Sequence, residues 1–82
     1  MTRPIEWRPR ALKDLDGLDR DVNQRVRKAI ERLAEGEGDV RRLVAVDPPL
    51  FRLRVGDLRV LFRYDGATMT IVRVLPRGKA YR

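Results

Sequence analysis

Phe51-Arg52-Leu53-Arg54-Val55, Gly56-Asp57, Leu58-Arg59-Val60-Leu61-Phe62-Arg63-Tyr64 and Asp65-Gly66 follow one another without interruption, and the run is written in period two. Phe51, Leu53 and Val55 alternate with Arg52 and Arg54; Leu58, Val60, Phe62 and Tyr64 alternate with Arg59, Leu61 and Arg63. Successive side chains of a strand point to opposite faces of a sheet, so this pattern predicts two half-buried strands. Gly56-Asp57 and Asp65-Gly66 are hairpin signals, because tight turns need residues that tolerate positive φ. A third strand follows, with Thr68, Thr70, Val72 and Val74 on one parity and Met69, Ile71, Arg73, Leu75 and Arg77 on the other.

If Phe51, Leu53, Val60, Phe62, Val72 and Val74 face a core, then Arg52, Arg54, Arg59, Arg63, Arg73 and Arg77 share the opposite face. Leu61, Ile71 and Leu75 lie among them, and that face offers no acid at all. A sheet that needed only solubility would mix Glu with Lys there. The alternative is a solvated outer face in an arginine-rich chain, since all but Lys13, Lys28 and Lys79 of the 19 basic residues are arginine.

Upstream of the strands the period changes to that of a helix. Pro4 to Trp7 reads as a short strand with Ile5 and Trp7 on its inner side. Pro9 suits a first helical position, Leu12, Leu15 and Leu18 recur at helical spacing, and Gly17 marks the stop. Asp19 is a candidate N-cap for a second helix whose stripe is Val22, Val26, Ala29, Ile30 and Leu33. Gly36 and Gly38 end it, and residues 36–49, with Pro48 and Pro49, read as a connector. The expected fold is α+β in the order β-α-α-β-β-β: one domain over residues 1–82, an antiparallel sheet with a helical hairpin packed on one face.

Composition narrows the chemistry. The chain has 82 residues and a net charge of +7, with no cysteine and no histidine. Disulfides, thiolate nucleophiles, Cys-type zinc sites and imidazole bases are therefore excluded. Serine is absent as well. Asp47, Asp57 and Asp65 sit apart, mostly in turns, so neither a metal nor another cofactor is expected. No apolar run is long enough to span a membrane and no signal peptide opens the chain, which makes the cytoplasm the expected location. Residues 1–46 hold eleven basic and nine acidic residues, whereas residues 47–82 hold eight and three. The positive field is thus concentrated in the second half, where it would draw in RNA, DNA or an acidic protein segment.

Leu53-Arg54-Val55-Gly56-Asp57-Leu58-Arg59-Val60-Leu61-Phe62, then Ile71-Val72-Arg73-Val74, then Arg77 and Tyr81, resembles the RelE/ParE superfamily of toxins from bacterial type II toxin–antitoxin pairs. Arg8-Pro9-Arg10-Ala11-Leu12-Lys13-Asp14-Leu15 resembles the first helix of that family, and the likeness runs over residues 4–82. It implies a toxin held inactive by a cognate antitoxin. RelE-like members cleave mRNA on the ribosome, whereas ParE-like members share the fold and poison DNA gyrase. A non-enzymatic module that binds RNA or the ribosome through the same basic face is a third reading.

For the RNA-cleaving branch the resemblance places catalytic roles on Arg59, Arg77 and Tyr81 and its early basic pair on Arg52 and Arg54, which with Arg63 and Arg73 of the same face and Lys79 are the expected RNA-binding residues. Such chemistry works without histidine. The 2′-OH must lose its proton, the phosphorane must be stabilised and the departing 5′-oxygen must gain a proton. Guanidiniums stay protonated and stabilise the phosphorane electrostatically. A nearby cation cluster lowers the pKa of a tyrosine or lysine and so makes it a better base. Leu75-Pro76 stands where the family often has Gly-His before the late arginine, and Leu58 where a tyrosine often sits.

Overall fold

The computed structural model describes residues 2–43 and 47–78. The elements are β1 (Ile5–Trp7), α1 (Pro9–Asp16), α2 (Arg20–Ala34), β2 (Val40–Arg42), β3 (Phe51–Val55), β4 (Leu58–Asp65) and β5 (Thr68–Pro76). They form the expected α+β domain, in which one five-stranded sheet in the order β1-β5-β4-β3-β2 carries both helices on one face. β3, β4 and β5 form an antiparallel meander, and β1 lies parallel to β5 through Ile5–Trp7 against Met69–Ile71. β2 lies inside the segment that the sequence marked as connector. Its three residues are all exposed, so no buried alternation announces it.

The helices end where local chemistry dictates. Pro9 takes the first turn of α1 and Gly17 caps its C-terminus; Asp19 takes the N-cap position of α2, but its side chain makes no capping hydrogen bond. Asn23 Nδ2 donates to the Leu15 carbonyl at 2.9 Å, which fixes the corner between the two helices. Val26, Ile30, Leu33 and Ala34 are buried from α2, with Val22 and Ala29 packed beside them. The α1 stripe is rotated from expectation: Ala11 and Leu15, four apart, are fully buried, while Leu12 is 42% exposed. The described residues contain no helix long and apolar enough to cross a membrane.

Leu53, Val55, Val60, Phe62, Met69, Ile71 and Val74 complete the core from the sheet. Here one expectation is reversed. A β-bulge opposite Leu61 and Phe62 inserts an extra residue in β5, so that Leu61 pairs with Arg73 but Phe62 with Ile71. A one-residue offset exchanges the two faces of a strand. Ile71 and Met69 are therefore fully buried, Val72 is pushed to half-exposure, and Val74 remains inside.

Past β1, the outer edge of β5 is open, and α1 closes it. Asp14 accepts from the Val74 backbone N–H at 3.0 Å and from Arg73 Nε and Nη2 at 2.7 and 3.1 Å. Burial pushes the Asp14 carboxyl up, but the Arg73 bond, the Val74 N–H and the charges of Arg73 and Arg10 outweigh it and leave its pKa lowered. A depressed folded-state pKa stabilises the fold above the unfolded carboxylate pKa, and the stabilisation is lost as pH falls through the folded value. Asp14→Asn should cost about 1–3 kcal/mol at neutral pH. In paired urea melts the gap between wild type and variant should narrow below about pH 4; a gap that stays constant down to pH 2 would contradict the role given to the charge.

Candidate nucleic-acid interface

The sheet face turned away from the helices holds an open concavity of about 390 Å³, lined by Asp39, Arg41, Arg52, Arg54, Arg59, Arg77 and Gly78. Each guanidinium arrives there for a local reason. Arg52 and Arg54 occupy the outward parity of β3, and Arg59 lies directly opposite Arg54 on β4. Arg41 comes from β2, in register with Arg52. Arg77 follows β5, and its backbone N–H donates to the Asp57 carbonyl at 2.8 Å, which holds the chain end of β5 against the β3–β4 hairpin.

The cavity is preorganised to different degrees. Arg59 is only 6% exposed, and its Nη1 donates to the Gly56 and Leu58 carbonyls at 3.0 and 2.9 Å. It therefore pairs with the turn backbone, and neither Asp57 nor Asp65 binds it. Arg52 is also buried, whereas Arg54 and Arg77 are exposed. Gly38, at φ 130°, lets the segment before β2 pass beside Leu53, where a Cβ would come within 2.8 Å of Leu53 Cδ1. That close passage sets Asp39 and Arg41 at the rim, and the Asp39 carbonyl accepts from the Arg54 N–H at 3.1 Å.

Four of the six arginines expected on this face thus line one cavity. The other two are engaged elsewhere, Arg63 by Asp65 at the end of β4 and Arg73 by Asp14 of α1. Arg63 Nε donates to Asp65 at 3.1 Å, and Thr70 Oγ1 donates to the same carboxylate oxygen at 2.7 Å. These bonds, led by that from Thr70, hold the Asp65 pKa below the usual carboxylate value. Arg73 is bound by Asp14, which raises its pKa further. The face is also not free of acid, because Asp39 lies at the cavity rim. Lys79 and Tyr81 lie outside the described residues. Arg41 was missed because Val40-Arg41-Arg42 is too short to display a period; its one signal is a pair of arginines just ahead of the alternating run.

Elsewhere the aromatic residues behave as core or its margin. Phe62 is fully buried and stacks on Phe51 at 5.6 Å, and Tyr64 meets both edge-on. Tyr64 is partly exposed and carries the Arg3 guanidinium 4.5 Å above its ring. Trp7 is half-buried against the core.

The described residues thus form a two-helix α+β domain with arginines gathered on the sheet face turned away from the helices. Comparison with known families makes the assignment definite. Residues 5–81 match the family described as "ParE toxin of type II toxin-antitoxin system, parDE", and the chain belongs to that toxin family. Among solved structures it is similar to the archaeal RelE–RelB complex from Pyrococcus horikoshii OT3, at 25% identity and a TM-score of 0.77 over 98% of this chain and 100% of that one. The RelB–RelE antitoxin–toxin complex of Methanococcus jannaschii aligns at 22% identity and a TM-score of 0.76, covering 93% and 94% of the two chains. The RelBE2 toxin–antitoxin complex of Mycobacterium tuberculosis aligns at 24% and 0.72, covering 94% and 100%. These two likenesses speak for the fold. No curated protein matches.

Proposed function

We propose that this toxin is an mRNA endoribonuclease that acts on the ribosome and is neutralised by a cognate antitoxin. The carrying observation is the convergence of Arg41, Arg52, Arg54, Arg59 and Arg77 on one cavity whose only carboxylate among the described residues is Asp39. Guanidiniums bind phosphate oxygens bidentately and keep their charge throughout a reaction. A converging set of them suits the extra negative charge of a phosphorane.

In this reading the 2′-oxygen of the substrate attacks the adjacent phosphorus, the P–O5′ bond breaks, and the fragments end in a 2′,3′-cyclic phosphate and a 5′-hydroxyl. Arg59 and Arg77 stabilise the phosphorane. Arg52, Arg54 and Arg41 hold flanking phosphate oxygens. Tyr81 takes part in the proton transfers, Lys79 adds to the hold on the RNA, and the ribosome supplies the alignment of the reacting groups. The antitoxin half of the proposal is supported by the similar toxins of known structure, which are complexes with RelB.

A second reading, inhibition of DNA gyrase, draws on the ParE description of the matching family. A short pulse of expression followed by transcript mapping separates the two. The endoribonuclease reading predicts cut transcripts and intact chromosomal DNA; DNA breaks with intact transcripts would overturn it in favour of the gyrase reading. Growth arrest with neither lesion would leave the non-enzymatic binding module.

A further inference from the structure

A second arginine-lined cavity, of about 460 Å³, opens at the β5 edge of the sheet between Arg8, Pro9, Arg10, Val72 and Arg73. Arg52, Leu61 and Arg73 are in register across β3, β4 and β5, so one strand separates this cavity from the first. Two inter-strand spacings amount to roughly 10 Å, a gap that a short stretch of extended single strand bridges. Between the cavities lie Leu61, which is buried, and the half-buried Leu75, while Val72 at the bulge lines the second cavity.

Of the cations of this second cavity, Arg73 stabilises the fold through Asp14, whereas Arg8 and Arg10 form no ion pair among the described residues. Arg8 is the N-cap of α1 and Arg10 lies in its first turn, which holds no acid, although the charge of Arg8 reaches Asp65 and that of Arg10 reaches Asp14. Positive charge at a helix N-terminus opposes the helix dipole. α2 follows the stabilising arrangement, with Asp21 in its first turn and Arg32 in its last. The nearby acids are already bound, Asp14 by Arg73 and Val74 and Asp65 by Arg63 and Thr70. Glu6, exposed on β1, forms no ion pair with them among the described residues.

We propose that Arg8 and Arg10, in a cavity completed by Val72 and the Asp14-bound Arg73, form a second phosphate subsite that holds the RNA strand beyond the reacting nucleotide. The proposal rests on the endoribonuclease reading for the identity of the strand. Between the two subsites the strand would pass over the half-buried Leu75 and Val72 while the arginines at each end take phosphates.

The test uses uncleavable 2′-O-methyl RNA of two lengths, a dinucleotide confined to the first cavity and an oligonucleotide long enough to reach both. Arg8→Ala/Arg10→Ala should weaken binding of the longer probe about tenfold and reduce its salt slope by about 1.4, or 0.7 per lost phosphate contact. Binding of the dinucleotide and the melting temperature should not fall. Arg20→Ala/Arg25→Ala removes the same charge from α2 and should change neither probe appreciably. An unchanged salt slope in the first variant, or an equal drop in the second, would overturn the subsite while leaving the endoribonuclease reading intact. A wild-type toxin that binds neither probe would remove both.

Discussion

Arg77→Ala should lower mRNA cleavage by about 10²- to 10³-fold, the loss typical of removing one preorganised donor to a developing oxyanion. The guanidinium of Arg77 lines the cavity, while the bond that fixes its backbone runs from its N–H to the Asp57 carbonyl and survives the substitution. The side chain is exposed, so little packing is lost. Arg63→Ala is the matched comparison: it removes the same group from the same face, but one already paired with Asp65 outside the cavity. Its cleavage rate should stay within a few-fold of wild type. At Arg59 the conservative Arg59→Lys is the better probe, because alanine would also strip the Gly56 and Leu58 carbonyls of their donor. Equal rates for Arg77→Ala and wild type on ribosome-bound mRNA would show that Arg77 has no part in the reaction.

Phe62→Ala should be the most damaging single change to the fold. Phe62 has no exposed surface and stacks on Phe51 beneath both helices. Truncating a buried phenylalanine costs about 3–5 kcal/mol, a large part of the 5–15 kcal/mol that holds a typical domain folded. For a domain of this size each kcal/mol moves the melting temperature by about 4–8 °C. Calorimetry should therefore show a fall of at least about 12 °C, or no cooperative transition at all. Phe62→Leu, which keeps most of the volume, should cost far less. A fall of only a few degrees for alanine would mean that the core closes over the gap, contrary to the packing described.

The alternating run made the meander legible, because Leu53, Val60 and Phe62 obey a period that only a strand produces. It also put four cavity arginines on one face. It did not disclose the bulge at Val72, since an inserted residue in an all-apolar stretch leaves the hydrophobic count unchanged while reversing the parity upstream of it. Ile71 and Val72 are interchangeable on paper, and only cross-strand pairing to Leu61 and Phe62 decides which is buried. Arg63 and Arg73 were indistinguishable from their neighbours for a similar reason. Asp65 lies two residues from Arg63, but Asp14 is 59 residues from Arg73 in sequence, and only the packing of α1 against the open edge of β5 brings that pair together. Leu12 misled because three leucines at spacing three look like a stripe, whereas the buried pair is Ala11 and Leu15, one true helical turn apart.

The central claim is that the arginine cavity on the bare sheet face is the seat of RNA cleavage through the substrate's own 2′-hydroxyl. End-group analysis of mRNA fragments formed on purified ribosomes tests it directly. Wild-type toxin should leave 2′,3′-cyclic phosphate and 5′-hydroxyl ends, and both should disappear with Arg77→Ala while Arg63→Ala still yields them. Intact mRNA with wild-type toxin, fragments ending in 3′-hydroxyls, or undiminished cleavage by Arg77→Ala would contradict the account.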